Sequence, residues 1–358
     1  MLSKKLWSFI TLVVILAFVM TACGTAAQAP ASPTQKPAVE KPTKVKIAFF
    51  YCGPVDEPWS QAMIRAVENV KKDNPPQGLQ IEYKYFEKIA VDEFEKFITD
   101  VINSGEYDIN WIHDGCAGAD PIDRIGKAFP NKIIPVTASN YHTVGGNVYW
   151  IQNYSHEPSY LTGVIAGLMT KTNIIGAVAG FPYASVNHEL NAYIDGAKSV
   201  NPKVKVKVAY IESWFDPVKA KETALAQIKA GADMMFAERY GAHEAARDMG
   251  IYAFGNQADI HELAPDTVIT SPLFFWDPSV RKMIELWYDN KVNGTPFNAP
   301  TDKPTSFLMK EGGSGLAPFY NFEKTLPKEV LNKVNQVKQD ILDGKFVVPL
   351  KLDEVKGD

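Results

Sequence analysis

Aromatic residues follow several apolar segments of this sequence, in positions where their rings could bind a flat ligand. They are Trp59, the pair Trp214 and Phe215, and the run Phe274, Phe275 and Trp276. A ring in such a loop is exposed unless another group covers it, and stacking of a base on an aromatic side chain contributes about 1–3 kcal/mol. Each residue alone is also explained by packing under its own helix. The three positions together favour a site for a planar, π-faced ligand.

Polar residues in neighbouring loops could hydrogen-bond such a ligand. Asp114 ends the segment YDINWIHDG, where its carboxylate could accept a ring N–H, although a helix cap or a salt bridge explains it equally well. Glu238 ends the segment ADMMFAE and could act in the same way, or pair with Arg239 at a cleft rim.

Sequence motifs of the common enzyme classes are absent. There is no GxSxG, GxxxxGK, HExxH or CxxC, and HELNA at His188 has Ala192 where a zinc protease has its second histidine. The six histidines are dispersed, without metal-ligand spacing. The net charge of -4, with no clustered Lys and Arg, argues against nucleic acid. We therefore predict a binding protein without catalytic residues, metal or cofactor.

Strand and helix patterns alternate from residue 44 onward. Strands are predicted in a first series near residues 44–51, 78–86, 107–115, 132–139 and 147–153, and in a second near 173–180, 204–212, 232–238, 250–256 and 266–274. Alternation with short connections is typical of parallel sheets covered by helices on both faces. Ligands of such sheets bind outside the carboxyl ends of the strands, so two facing lobes would bury a ligand between them.

Two helices of the second series carry local signals. In the helix near residues 216–231, Asp216 is a candidate N-cap, Pro217 occupies the first helical position and Gly231 ends the helix. Gly163 and Gly167 lie four residues apart in another helix, whose apolar run of about a dozen residues is too short to span a membrane. We expect this pair to permit a close contact between helix and sheet.

The N-terminal residues 1–23 resemble a bacterial lipoprotein signal peptide. Lys4 and Lys5 precede an apolar run, and the run ends in MTAC, which is similar to a lipobox apart from Met20 in place of the usual Leu. Cys23 would then be the lipidated first residue of the mature protein. Residues 24–43 are rich in Ala, Pro, Thr, Gln and Lys and predict a disordered linker. The folded part would thus be tethered to the membrane and face the periplasm or the cell exterior.

The segment from SYLTGVIAGLMTKT through KSVNP, SWFDP and AGADMMFA is similar to the basic membrane protein family. GPVDEPWSQA, GIYAFGNQAD and TVITSPLFFWDP resemble other ligand loops of that family, and the resemblance covers roughly residues 44–350. It implies a lipoprotein receptor of an ABC importer with the type I periplasmic-binding fold, which presents its bound solute to permease subunits. It further implies a purine ring stacked between Trp59 and Trp214.

Several polar positions depart from the nucleoside receptors of that family. Their loop G-x-D-S-D has an acidic residue for the ribose hydroxyls, whereas this loop contains Asn256 and, at the acidic position, Gln257. In those receptors a lysine commonly follows the TS of the next strand, whereas here Ser271 is followed by Pro272, Leu273 and Phe274. A site that binds hydroxyls needs such partners. The departures favour a free nucleobase, adenine-like, over a nucleoside.

We therefore predict an α/β protein of two doubly wound lobes with the ligand cleft between them. The N-terminal lobe would comprise 44–153 plus about 274–304, and the C-terminal lobe 154–273 plus about 305–352. The protein would act as a monomer and bind a purine nucleobase or nucleoside. A sensory receptor for the same ligands and, less favoured, a nucleoside-processing enzyme are the alternatives. Cys52 and Cys116, at the ends of adjacent strands, could form a disulfide or remain buried thiols.

Overall fold

The computed structural model describes residues 40–56, 58–113, 116–137 and 145–357. Residues Lys41–Asp358 form one compact unit. The predicted signal peptide, Cys23, most of the predicted linker and Asp114 lie outside the described residues. In the part of the chain that is described, no helix is both long and apolar enough to cross a membrane.

The first sheet has five parallel strands in the spatial order β2-β1-β3-β4-β5. Its elements are β1 (Lys44–Phe50), α1 (Pro58–Lys72), β2 (Gln80–Phe86), α2 (Phe94–Asn103), β3 (Ile109–Ile112), α3 (Ala119–Ala128), β4 (Ile134–Thr137) and β5 (Val148–Ile151). Successive residues of β1 face opposite sides of the sheet: Ile47 and Phe49 enter one buried cluster, Ala48 and Phe50 the other. Both faces are covered, which explains why the strand is apolar from Ile47 to Phe50.

The second sheet has four parallel strands in the order β7-β6-β8-β9. Its elements are α4 (His156–Met169), β6 (Ile174–Ala179), α5 (Ala184–Val200), β7 (Lys205–Tyr210), α6 (Pro217–Lys229), β8 (Met234–Ala237), α7 (Ala242–Asp248) and β9 (Tyr252–Phe254). The signals at α6 are confirmed: Asp216 Oδ1 accepts from the Lys219 N–H at 2.9 Å, and Gly231 has φ of +101°. The predicted architecture of two parallel-sheet lobes is confirmed. We call them the first lobe and the second lobe after their sheets.

The glycines of α4 pack against a helix, and the predicted contact with a sheet is wrong. A Cβ atom on Gly163 would lie 2.0 Å from the Tyr193 carbonyl oxygen of α5, and one on Gly167 would lie 2.5 Å from that of Ala197. Only glycine lets the two helix backbones approach so closely. The spacing of the pair revealed a close contact but not its partner.

The remaining elements are β10 (Pro272–Phe274), α8 (Asp277–Asn293), β11 (Ser314–Leu316), α9 (Phe322–Thr325) and α10 (Lys328–Leu342). The strand predicted near 266–274 is shorter than expected, because only Pro272–Phe274 forms a strand, antiparallel to β11. Residues before it make single bridges, such as Ala253 with Val268. Helix α8 packs on the first lobe, since Val280 and Met283 belong to its core, whereas α10 packs on the second through Val330 and Val334.

Asn153 links three chain segments that connect the lobes. Its Nδ2 donates to the Phe275 carbonyl oxygen at 2.9 Å and to Ser279 Oγ at 3.3 Å, and its Oδ1 accepts from the Phe307 N–H at 3.1 Å. The side chain is fully buried. One amide thus joins the segment after β5, the segment after β10 and the segment before β11.

Candidate ligand site

Each sheet has a topological switch point, where the chain stops adding strands on one side and begins to add them on the other. The candidate loops lie near these two points. In the first sheet this switch lies between β1 and β3, and in the second between β6 and β8. A crevice opens at the carboxyl ends of strands at such a switch, and ligands of doubly wound sheets bind there. Trp59 and His113 follow the strands of the first switch, and Gly180 and Glu238 follow those of the second.

Trp59 lies against His113 at the first switch. The indole and imidazole rings are stacked, with centroids 5.1 Å apart and planes 20° apart, and Trp59 Nε1 donates to the His113 carbonyl oxygen at 3.3 Å. The edges of Trp276 and Phe274 complete the first aromatic cluster (Trp59, His113, Phe274 and Trp276), with centroids 5.3 and 5.9 Å from the Trp59 ring. Trp59 is only partly buried, so part of its surface remains available.

Trp276 supports the first aromatic cluster from within. Its side chain has no exposed surface and belongs to the core of the first lobe together with Met283 and Trp287. Phe275, the preceding residue, is 36% exposed and lines a different groove. Trp276 can therefore act on a ligand only through the rings that it contacts, which are Trp59, His113 and Phe274.

His113 is held as a neutral ring. Its Nε2 lies 3.1 Å from the Trp59 carbonyl oxygen, which can only accept, so Nε2 carries the proton and Nδ1 accepts from the Thr137 hydroxyl at 2.6 Å. Complete burial lowers the pKa of His113 to about 3. The ring thus stays uncharged beside Trp59 at neutral pH.

A disulfide joins Cys52 to Cys116 across the first switch. Cys52 follows β1 and Cys116 follows β3, and the two residues are 64 positions apart in sequence. Of the two alternatives that the sequence left open, the structure has the disulfide. The bond joins the loop between β1 and Trp59 to the loop that follows His113.

Trp214 lies at the carboxyl edge of the second sheet and remains 42% exposed. Its ring contacts Phe181 and Tyr183 at centroid distances of 4.8 and 5.8 Å, which defines the second aromatic cluster (Phe181, Tyr183 and Trp214). The Arg239 guanidinium lies 5.4 Å from the centre of the indole ring. Phe181 and Tyr183 were not singled out in the sequence, although FPY follows the end of a strand, as SWF does.

Glu238 is occupied by protein donors. One of its oxygens accepts from the Gly180 N–H at 2.8 Å, and the carboxylate forms a two-pronged ion pair with Arg239. Both of its oxygens therefore have partners. The pairing with Arg239, one of two explanations considered for Glu238, is present.

Phe215 points away from the second aromatic cluster. It is 74% exposed and lines a shallow groove with Pro217, Tyr240, His243 and Leu263. Its neighbour Trp214 contacts other residues, so the structure does not bring the two predicted site residues together.

Asn256 and Gln257 occupy different environments although they are adjacent. Asn256 is buried and donates from Nδ2 to Glu189 Oε2 at 2.7 Å. Gln257, in the left-handed region with φ of +62°, lines a groove of about 350 Å³ opposite Arg65 of α1. This groove runs between the two lobes, beside Phe274.

A buried polar network lies beneath Asn256, and the sequence did not reveal it. Glu189 accepts from Ser155 Oγ and from Asn256, and Ser155 N–H donates to His188 Nε2 at 3.2 Å. Burial and the nearby Glu238 raise the pKa of the Glu189 carboxyl well above its usual range. Burial lowers the pKa of His188 to about 3 and that of His156 to about 4. The nearest signal, HELNA at His188, begins like a zinc-protease helix but has Ala192 in place of the second histidine, and it gave no indication of this network.

Among residues 40–56, 58–113, 116–137 and 145–357, no group of three or more metal-ligating side chains lies close enough to hold an ion. The His188 and Glu189 side chains instead bond to Ser155 and Asn256.

Two parallel-sheet lobes with ring-bearing loops at their carboxyl edges form the architecture that bilobed solute-binding proteins have. A family model described as ABC transporter substrate-binding protein, PnrA-like, matches residues 44–348. The chain therefore belongs to this family, named Bmp, and it is a solute-binding protein and not an enzyme.

Relatives support the same class. A purine-binding protein of Brucella abortus is 30% identical over 319 residues, which cover 86% of this chain and 85% of that protein. A Haloferax volcanii protein, provisionally named an ABC transporter glucose-binding protein, is 31% identical over 84% of this chain and 73% of its own length. Basic membrane protein D of Borreliella burgdorferi is 30% identical over 57% of this chain and 59% of its length.

Solved structures share the fold. A solute-binding protein of an ABC transporter from Aeropyrum pernix matches with a TM-score of 0.67 at 18% identity, over 86% of this chain and 94% of that one. A second, from Conexibacter woesei, has a TM-score of 0.65 at 19% identity, over 85% and 98% of the two chains.

Proposed function

We propose that this protein is the receptor of an ABC importer for a purine nucleobase, or its nucleoside, with an adenine-like base favoured. The base would stack between Trp59 of the first lobe and Trp214 of the second. The observation that carries the proposal is the exposed Trp214 ring, which follows β7 beside the second switch, is 42% accessible and is already supported by its own lobe. The purine-binding relative supports this ligand class.

The polar part of the site supports a base more than a ribose. Glu238 has both carboxylate oxygens engaged with Gly180 and Arg239, and Gln257 stands at the position that is acidic in nucleoside receptors. Hydroxyls of a ribose would therefore lack a free carboxylate partner at either position. Asp114, outside the described residues, remains the proposed acceptor for a ring or exocyclic N–H.

Closure of the lobes would bring the two rings together. We assign 44–153 with about 274–304 to the first lobe and 154–273 with about 305–352 to the second. Asn153 would hold the connecting segments together through its side-chain hydrogen bonds while the lobes move. The closed form would present both lobes to permease subunits. Lipidation at Cys23 would hold the receptor at the outer side of the cytoplasmic membrane or in another cell-envelope membrane.

Calorimetry with four solutes tests the ligand class. Adenine should bind at least as tightly as adenosine, hypoxanthine should bind more weakly than adenine, and D-glucose, included because of the Haloferax relative, should not bind. Adenosine tighter than adenine by tenfold or more, about 1.4 kcal/mol, would refute the preference for a base. Binding of D-glucose without binding of any purine would refute the purine receptor itself.

Mass spectrometry of solute released from denatured protein gives an independent answer. Protein purified without added ligand should release a compound with the mass of a purine base. Measuring purine uptake by cells that lack the permease would separate an importer receptor from a sensory receptor. Uptake should be lost if the protein serves an importer, whereas a sensory receptor should still signal to its kinase without the permease.

A further inference from the structure

The Arg239 side chain contacts both the main chain and the indole ring of Trp214. Arg239 Nη1 donates to the Trp214 carbonyl oxygen at 2.8 Å, while the guanidinium carbon lies 5.4 Å from the centre of the indole ring. A guanidinium at this distance from an indole is attracted by the ring electrons. The two residues belong to different loops, since Arg239 follows β8 whereas Trp214 follows β7.

Arg239 is itself fixed by Glu238. Arg239 Nε donates to Glu238 Oε2 at 2.8 Å, and Nη2 donates to Oε1. Glu238 is in turn fixed by the Gly180 N–H. The side chains are 14% and 0% exposed, so water competes little with these bonds.

The backbone of Gly180 packs against the indole ring of Trp214. A Cβ atom there would lie 3.1 Å from Trp214 Cε3 and 3.1 Å from the Ser213 carbonyl oxygen. The indole ring thus packs directly on the backbone that also donates to Glu238. Trp214 is exposed and yet held by Gly180 on one strand end and Arg239 on another.

We propose that Arg239, anchored by Glu238, is the positioning residue that holds Trp214 ready for the ligand in the ligand-free protein. The inference rests on the proposed function, in which Trp214 stacks on a purine. A ring that is already held loses less freedom on binding, so the ligand binds more tightly without touching Arg239. Lysine cannot replace arginine here, because a single ammonium cannot bond Glu238 and the Trp214 carbonyl in the same planar arrangement.

Variants of the pair separate positioning from stability. Arg239→Met alone leaves Glu238 as a buried, unpaired charge and should lower the melting temperature. The double variant Glu238→Gln/Arg239→Met removes both charges and should recover most of that melting temperature, yet bind adenine about tenfold more weakly than the wild type. Recovery of both stability and adenine affinity in the double variant would overturn the proposal, since Arg239 would then be purely structural.

A mutant cycle tests whether Arg239 acts through Trp214. Adding the double variant to Trp214→Ala should weaken adenine binding no further than Trp214→Ala does alone, because the positioned ring is already gone. A further tenfold loss would overturn the proposal, since Arg239 would then act on the ligand independently. The double variant Glu95→Gln/Arg124→Met breaks another arginine–carboxylate pair and is the matched control; it should leave affinity unchanged.

A measurement without ligand keeps this inference distinct from the proposed function. Protein labelled with 5-fluorotryptophan should give a ¹⁹F resonance for Trp214, assigned by its loss in Trp214→Phe. This resonance should be narrow and shifted in the wild type and move toward that of free fluorotryptophan in Glu238→Gln/Arg239→Met. An unchanged resonance would overturn the positioning role. If adenine fails to bind the wild type, the proposed function fails while this readout still decides the role of Arg239.

Discussion

Replacing Trp59 and Trp214 by alanine, one at a time, should have different consequences although both rings are proposed to stack on the same base. Trp214 is 42% exposed, and its main attachments are the contact with Arg239 and two neighbouring rings. A cation–π contact at an exposed site contributes about 0.5–1 kcal/mol. The two ring contacts and the packing on Gly180 add to this, so Trp214→Ala should lower the free energy of unfolding by about 1–3 kcal/mol. Loss of one stacking face, about 1–3 kcal/mol, should weaken adenine binding about 5- to 150-fold.

Trp59→Ala should damage folding as well as binding. Its ring stacks on His113 and touches Phe274 and Trp276, and its Nε1 bonds the His113 carbonyl oxygen. Truncation of a fully buried tryptophan costs about 3–5 kcal/mol, so a partly buried one should cost about 2–4 kcal/mol. The removal also opens His113 to water. Affinity should fall at least as far as in Trp214→Ala.

The assay measures the melting temperature of the ligand-free protein and the adenine affinity by calorimetry on the same samples. Phe215→Ala is the matched control, because it removes an exposed ring from the same loop that faces another groove. It should change neither quantity appreciably. If Trp214→Ala melts several degrees early and binds adenine normally, the stacking argument is wrong and Trp214 is a packing residue. Normal binding by both alanine variants would remove the two-ring site altogether.

Four further changes have definite expected outcomes. Cys23→Ser should move the protein from the membrane fraction to the soluble fraction, and unchanged fractionation would exclude lipidation at this cysteine. Reducing the Cys52–Cys116 bond, or replacing both residues by serine, should lower unfolding free energy by roughly 2–4 kcal/mol, measured by urea denaturation. Unfolded histidines bind protons below about pH 6.5 whereas the buried ones do not, so stability should fall as the pH drops from 6.5 toward 4, each histidine contributing up to about 2 kcal/mol at pH 5. The raised pKa of Glu189 acts oppositely: the stability that this carboxyl contributes is present below about pH 4.5 and is lost as the pH rises from there toward its raised pKa, and Glu189→Gln should remove that loss in melting curves.

Local signals allowed most elements to be predicted from the sequence. The Asp216 cap, the proline after it and Gly231 act within one helix, so the bounds of α6 followed from neighbouring residues. The alternation of strands and helices likewise required parallel sheets, since short connections permit little else. The loops with Trp59 and Trp214 were visible for the same reason, because they follow β1 and β7 and the carboxyl ends of parallel strands share one edge of the sheet. Phe275 and Trp276 instead follow β10, which is antiparallel to β11.

Other features depended on residues far apart in the chain. Glu189 reads as an exposed helix residue, but its bonds to Ser155 and Asn256 span 34 and 67 positions. The partner of Gly163 was misjudged because nothing near it in sequence indicates that α5 lies alongside.

The sequence by itself determined the class of elements, their order and the loops that carry rings, because these follow from the spacing of apolar residues and from local backbone chemistry. Only the tertiary structure decided what each ring contacts. Trp59 stacks on the neutral His113, and Trp276 is buried against the Trp59 ring. Phe215 faces another groove, and Trp214 is held by Arg239, which follows β8, two strands away from β7 in the sheet. These contacts join residues from different strand ends, and the distances between them are fixed by sheet order rather than by any pattern along the chain.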